Sequence, residues 1–168
     1  MQNVWFYEHV LPLKDQLFRL ALRMVQNREE AEDIVQDTLL KVWNRRSSWA
    51  MIDNMDAFCM TVCRNLALDH LKRQEHQSLS LDELTETTQR QGPTGNPVEE
   101  HLLQQDRIQW VHRMMNRLPE KQRTCMQLRD IEGLPYKEIA QIMGITEEQV
   151  KINIFRARKT IKERIKQQ

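Results

Sequence analysis

Apolar residues recur along this chain with the 3.6-residue period of amphipathic helices, and no stretch shows the alternation of a strand. Leu13, Leu17, Leu20, Ala21, Met24 and Val25 make a first stripe that stops at Gln26-Asn27. Asn27 and Glu30 have the spacing of an N-cap and its capping-box partner, so a second helix starts there. Its buried side is Ala31, Ile34, Val35, Thr38, Leu39, Val42 and Trp43; its polar side carries Glu32, Asp33, Gln36, Asp37 and Lys41. Arg45 to Asp53 has no period and reads as a loop that leaves Trp49 without an assigned place. A third element spans about Asn54 to Arg73, with Phe58, Cys59, Val62, Cys63, Leu66 and Leu71 inward. Residues 1–73 therefore predict one compact helical bundle.

Residues 74–97 differ in kind. Gln, Ser, Thr, Glu and Asp dominate and the stretch ends Gly92-Pro93-Thr94-Gly95-Asn96-Pro97, a composition too polar to offset chain entropy by burial, so an acidic flexible linker is expected. The helical pattern resumes at Val98, Leu102, Ile108, Val111, Met115 and Leu118. Pro119 then opens a further helix with Cys125, Leu128 and Ile131 inward, and Gly133 closes it. The predicted fold is all-α, two small helical domains at 1–73 and 98–168 joined by the linker.

The most specific pattern lies between Leu134 and Ile165. Ile139, Ile142 and Met143 mark one face of a short helix, Ala140 allows a second helix to cross closely, and Gly144 ends the first by reaching the left-handed backbone region. Thr146 and Gln149 form a capping box for the next helix, with Glu147 and Glu148 matching its dipole. Val150, Ile154, Ala157, Ile161 and Ile165 make its buried stripe, and Glu148, Ile152, Phe155, Arg156, Lys159 and Lys162 its outward face. This is the pattern of a helix-turn-helix whose second helix enters DNA.

Charge supports that reading once it is divided along the chain. The formal net charge is only +1, but residues 98–168 carry 14 Lys/Arg against 10 Asp/Glu, whereas 1–73 is balanced and 74–97 is acidic. Between Lys151 and Lys166 seven basic residues face one acid, a concentration suited to phosphates.

No run approaches the ~18 consecutive apolar residues of a membrane span, and the first residues, with acidic Glu8, lack a basic signal-peptide start, so a cytoplasmic protein is expected. An odd number of cysteines, three, fits reduced thiols. Cys59, Cys63 and His70 share a helical face, but eleven residues at about 1.5 Å each separate the first from the last, too far for one ion, and core packing is the expectation. No phosphate-binding glycine loop, serine elbow or His-Glu-x-x-His motif is present, so neither an enzyme, a cofactor nor a metal is expected.

The run from Ala31 to Trp43 (AEDIVQDTLLKVW), the helix from Ala57-Phe58 through Arg64 to Asp69, the LPEKQR of Leu118 to Arg123 and the YKEIA of Tyr136 to Ala140 occur in the order, and with the acidic linker, of a known family. On these motifs the chain resembles bacterial RNA polymerase sigma factors of the extracytoplasmic-function class. The resemblance implies a sigma factor that binds core RNA polymerase and directs transcription initiation at a dedicated set of genes. It implies polymerase docking at Asp33, Gln36, Asp37 and Lys41. It also implies capture of a flipped base of the promoter minus-ten element by the 45–53 loop, with contacts from Arg45, Arg46, Trp49, Arg64 and Asn65. Contacts to the minus-thirty-five element would come from Gln149, Lys151, Ile152, Asn153, Phe155, Arg156 and Lys159, although Ile152 and Asn153 stand where the family usually has a small polar residue and often a basic one. An anti-sigma factor is implied as a further partner. The alternative is a regulator that binds DNA as a dimer through residues 134–166 without polymerase.

Overall fold

The computed structural model describes residues 1–81 and 103–167. It is helical throughout the described residues: α1 (Gln2–His9), a 3-10 turn (Leu11–Leu13), α2 (Lys14–Val25), α3 (Arg28–Asn44), a 3-10 helix (Arg46–Met51) and α4 (Met55–Leu81), then α5 (Leu103–Arg117), α6 (Glu120–Met126), a π-helical turn (Gln127–Ile131), α7 (Tyr136–Met143) and α8 (Glu147–Lys166). The helix α1 was not expected from the pattern. The expected stripe positions Val98 and Leu102, and most of the 74–97 linker, lie outside the described residues.

Helices α2, α3 and α4 pack against one another around Leu17, Leu20, Ala21, Met24, Ile34, Val35, Val42, Cys59, Met60 and Cys63, as the stripes require. Asn27 caps α3 by accepting from the Glu30 backbone at 3.1 Å. The reciprocal half of the expected capping box is a different bond. Glu30 turns its carboxylate to α4 instead, where Oε1 accepts from Gln74 Nε2 at 2.7 Å and Oε2 lies 3.0 Å from His70 Nε2. The same contact helps explain why α4 runs through Leu81, eight residues past the boundary at Arg73. Once a helix exists, each added residue gains a hydrogen bond without a new nucleation cost, so a polar run can extend it.

Three apolar positions point outward, against the stripe reading: Ile108, 59% exposed in the early part of α5, Ile131 and Ile165. Ile131 is 45% exposed because the π-helical turn inserts an extra residue and rotates the face, bringing Gln127 inward at 2% exposure. Ile165 is 53% exposed, in the last turn of α8, beyond the buried stripe that ends at Ile161.

The two predicted domains are packed together and share apolar contacts. Cys125, Leu128, Ile139, Ile142, Val150 and Ile154 belong to the same buried cluster as the core of α2–α4, and Met114, Met115, Leu118, Met126, Ala157 and Ile161 form a second, smaller one. Polar groups cross the seam as well. Arg23, on the buried side of α2, donates from Nε to Gln127 at 2.8 Å, from Nη1 to Asn116 Oδ1 at 2.8 Å and to the His112 carbonyl at 3.2 Å, and from Nη2 to His112 Nδ1. Arg123 returns the contact by donating to the Met24 carbonyl at 3.2 Å. Gln26, left-handed at φ +58 where it ends α2, donates to the Asn116 carbonyl at 2.8 Å. Burial, and then the neighbouring Arg123, pulls the Arg23 guanidinium down to about 10. It remains a cation at neutral pH, so the seam holds a charge solvated by protein acceptors. His112 is pushed down by burial and by Arg23, which fits its role as a neutral acceptor.

Candidate polymerase and promoter interfaces

Helix α3 buries Ala31, Ile34, Val35, Thr38 and Val42 and thereby turns Asp33, Gln36, Asp37 and Lys41 to solvent on the opposite side. Neither aspartate forms an ion pair among the described residues. Beside them lies an open apolar groove lined by Phe6, Gln36, Leu39, Leu40 and Trp43, in which Leu40 is 58% exposed. An acidic rim against an apolar strip can bind a partner surface of basic and apolar side chains. The sequence reading marked the rim and missed the strip, whose signal was Leu40 adjoining Leu39 on the edge of the stripe.

The chain from Arg45 to Asp53 is ordered, not irregular. Ser48 N–H donates to the Arg45 carbonyl at 2.8 Å and Ile52 N–H to the Trp49 carbonyl at 3.1 Å, winding Arg46–Met51 into a 3-10 helix. Its interior post is Trp49, only 9% exposed, whose indole N–H donates to the Val42 carbonyl at 2.9 Å. Trp5, Phe6 and Trp43 surround that ring with centroids at 4.7, 6.1 and 6.0 Å. Trp49 thus has its polar atom and its faces engaged inside the protein and offers no free face to a base, contrary to its expected contact role. Arg45, Arg46, Ser47, Ser48, Ala50, Met51 and Asp53 are the exposed positions, and the Arg46 guanidinium lies 4.8 Å from the centre of the Trp43 ring. On α4, Asn65 is exposed, but Arg64 is half-buried and its Nε is buried with no hydrogen-bond partner among the described residues. It lies close enough to α6 to influence Cys125. In the packed form, Arg64 is therefore at the seam rather than free beside Arg45 and Arg46.

The helix-turn-helix follows the sequence closely. Gly144 is left-handed at φ +66, and Ile145 N–H donates to the Ala140 carbonyl at 3.1 Å, which wraps the end of α7. Thr146 and Gln149 make both bonds of the capping box, at 3.1 and 3.0 Å. With Val150, Ile154, Ala157 and Ile161 buried, Ile152 (46% exposed), Phe155 (66%), Arg156 and Lys159 face outward as expected. Three of the anticipated DNA contacts are engaged within the protein. Gln149 serves the capping box, Asn153 donates to the Gln149 carbonyl at 2.8 Å, and the Lys151 ammonium sits 5.5 Å from the Tyr136 ring centre. Arg158, on the flank, pairs with Asp130, Nε to Oδ2 at 3.1 Å.

The cysteines stand apart from all three surfaces. Cys59, Cys63 and Cys125 are buried, and burial pushes each thiol up to about 12. They pack as small apolar groups.

The profile of the family described as Sigma-70 region 2 matches residues 9–77, which contain α3 and the loop, and that of Sigma-70, region 4 matches residues 108–161, which contain the helix-turn-helix. A curated relative, the RNA polymerase sigma-H factor of Pseudomonas aeruginosa, is 28% identical over 90% of this chain and 81% of its own length. The extracytoplasmic-function sigma factor SigE of Mycolicibacterium smegmatis is 27% identical over 89% of this chain, which spans 57% of that longer relative. The chain belongs to the extracytoplasmic-function class of sigma factors. Among solved structures it is similar to the sigma factor RpoE of Bartonella quintana, recorded in complex with the anti-sigma factor NepR, at 25% identity and a TM-score of 0.76 over 96% of each chain. The sigma factor directs RNA polymerase to promoters and so to the start of transcription. Sequence reasoning missed the aromatic cluster under the loop and the Arg23 seam. Four tryptophans in so short a chain, two of them near the loop and one near the N-terminus, were the available signal for the first. A buried arginine on an apolar stripe leaves no comparable signal.

Proposed function

We propose that three exposed surfaces of this sigma factor divide the work of initiation, without any catalysis by the chain itself. The face of α3 bearing Asp33, Gln36, Asp37 and Lys41, with the Leu39–Leu40 strip, docks on core polymerase. The loop with Arg45 and Arg46, together with Arg64 and Asn65 of α4, engages the minus-ten element. Ile152, Phe155, Arg156 and Lys159 of α8 lie in the major groove of the minus-thirty-five element, with Gln149, Lys151 and Asn153 contributing after they leave their internal partners. The observation that carries this reading is the opposition of two exposed faces, an acidic one on α3 and a basic one on α8. The first suits a protein surface and the second a phosphate backbone.

The packed arrangement of the domains then has a consequence. Two promoter elements about 25 base pairs apart are separated by about 85 Å of duplex at roughly 3.4 Å per step. A compact chain of this length is about 40 Å across. The domains part on the promoter, the Arg23 bonds to Gln127, Asn116 and His112 are exchanged for water, and Arg64 is released to the minus-ten helix. An anti-sigma factor is a further partner, a reading supported by the Bartonella relative's being recorded in complex with one, and the site of action is the cytoplasm, where polymerase and promoters are.

The test is co-purification with core polymerase followed by transcription from a promoter library. Polymerase-dependent initiation at a defined promoter class is the expected result. Specific duplex binding by the isolated protein, with no retention of polymerase, would establish the dimeric regulator instead.

A further inference from the structure

The loop Arg46–Met51 is held to the body of the protein at its start, where Arg46 Nη1 donates to the Trp43 carbonyl at 3.3 Å and the guanidinium lies over the Trp43 ring, and at its buried post Trp49, by one hydrogen bond and a set of ring contacts. The bond from its Nε1 to the Val42 carbonyl, 2.9 Å, fixes a point. A single point leaves the indole itself free to roll. Ring faces set the plane, and two of the rings that set it come from α1: Trp5 at 4.7 Å with 31° between planes, and Phe6 at 6.1 Å, stacked at 16°. Stacked and tilted aromatic pairs at these separations are orientation-dependent contacts, unlike simple apolar burial.

Trp5 is in turn braced from outside. His9 stacks on it at 4.6 Å and 13°, and His9 Nδ1 lies 3.0 Å from the Trp5 carbonyl. Helix α1 has no buried residue of its own, and no hydrogen bond among the described residues joins it to the loop. Its aromatic side chains are what tie it there. A helix without a core of its own, whose half-buried rings close over the post of the reading loop, has a specific job available to it.

We propose that Trp5 is a positioning residue for minus-ten recognition: by fixing the plane of Trp49 it sets the orientation in which Ser47, Ser48 and Met51 meet the promoter base, making α1 part of the specificity apparatus. The proposal rests on the reading of the 45–53 loop as the minus-ten surface. Trp5 touches no DNA in this scheme. Its removal loosens the loop and costs discrimination, while polymerase docking and minus-thirty-five reading are untouched.

The experiment uses the full chain assembled with saturating core polymerase and scores initiation on two libraries, one randomised across the minus-ten element and one across the minus-thirty-five element. For Trp5→Ala, base preference in the minus-ten library falls by about five- to tenfold at the position the loop reads, a substantial share of the discrimination one base pair ordinarily carries. The minus-thirty-five profile and polymerase retention stay as in the parent, and Trp5→Phe, which keeps a ring face on Trp49, restores most of the preference. Alanine at Ser47, Ser48 and Met51 is scored in parallel. If those variants alter the minus-ten profile and Trp5→Ala does not, whatever its effect on total activity, α1 is structural only and the proposal is overturned. An equal loss of discrimination in both libraries, or failure of Trp5→Phe to restore it, also overturns it. If none of the loop variants alters the profile, the assignment of the loop itself has failed.

Discussion

The two promoter-reading regions are built in opposite ways. Helix α8 is specified almost entirely by its own sequence: a glycine turn and capping box start it, and four residues at helical spacing bury one side and turn the other out. The loop Arg46–Met51 has no such local code. It is held by Trp49, which depends on Val42 and Trp43 from the preceding helix and on Trp5 and Phe6 from some forty residues upstream. A locally encoded element has several redundant supports, whereas a remotely held one depends on a few large contacts. The first should tolerate loss of any one support; the second should not.

The largest effect expected from this difference is at Trp49. Trp49→Ala removes a buried ring and leaves the Val42 carbonyl without its indole donor, a change of about 3–5 kcal/mol for an aromatic truncated to alanine. Chemical denaturation should register it, and minus-ten discrimination should vanish in the holoenzyme even where the domain stays folded. A loop that still reads its base without Trp49 would break the comparison.

On α8 the sharper contrast is between two exposed neighbours. Lys159→Ala should weaken binding to all promoters alike and reduce the salt slope by roughly 0.9, because a phosphate contact carries no sequence information. Ile152 can touch a thymine methyl or exclude water from a base edge, so Ile152→Ser should change preference at one or two minus-thirty-five positions by about 1–3 kcal/mol each. An even loss across all sequences would assign Ile152 to packing instead. The smallest effect is at the cap: Thr146→Ala should cost about 1 kcal/mol in stability and leave base preference unchanged, since the buried stripe holds α8 in place.

The same contrast explains what could be read from the sequence. The helix-turn-helix, the acidic face of α3 and the inward stripes were legible because their determinants lie within one or two turns of each other. Glu30 shows the limit. Its spacing from Asn27 fits a capping box, yet His70 and Gln74, forty and more residues away, take its carboxylate. Ile131 fails for a different reason, since a π-helical turn breaks the period on which the stripe was counted. Arg23 was illegible because an arginine among leucines gives no hint that Gln127, Asn116 and His112 will gather around it. The way the loop hangs on Trp49 was beyond a pattern reading too, because aromatic clustering across elements has no period.

The central claim is that α3 brings this sigma factor to polymerase. It is tested most directly by reversing the two exposed charges, Asp33→Lys with Asp37→Lys, and measuring retention of core polymerase alongside helical content and thermal stability. Both side chains are exposed, so the fold should be unaltered while retention of the polymerase is lost. Undiminished binding to core polymerase by that folded double variant would contradict the account.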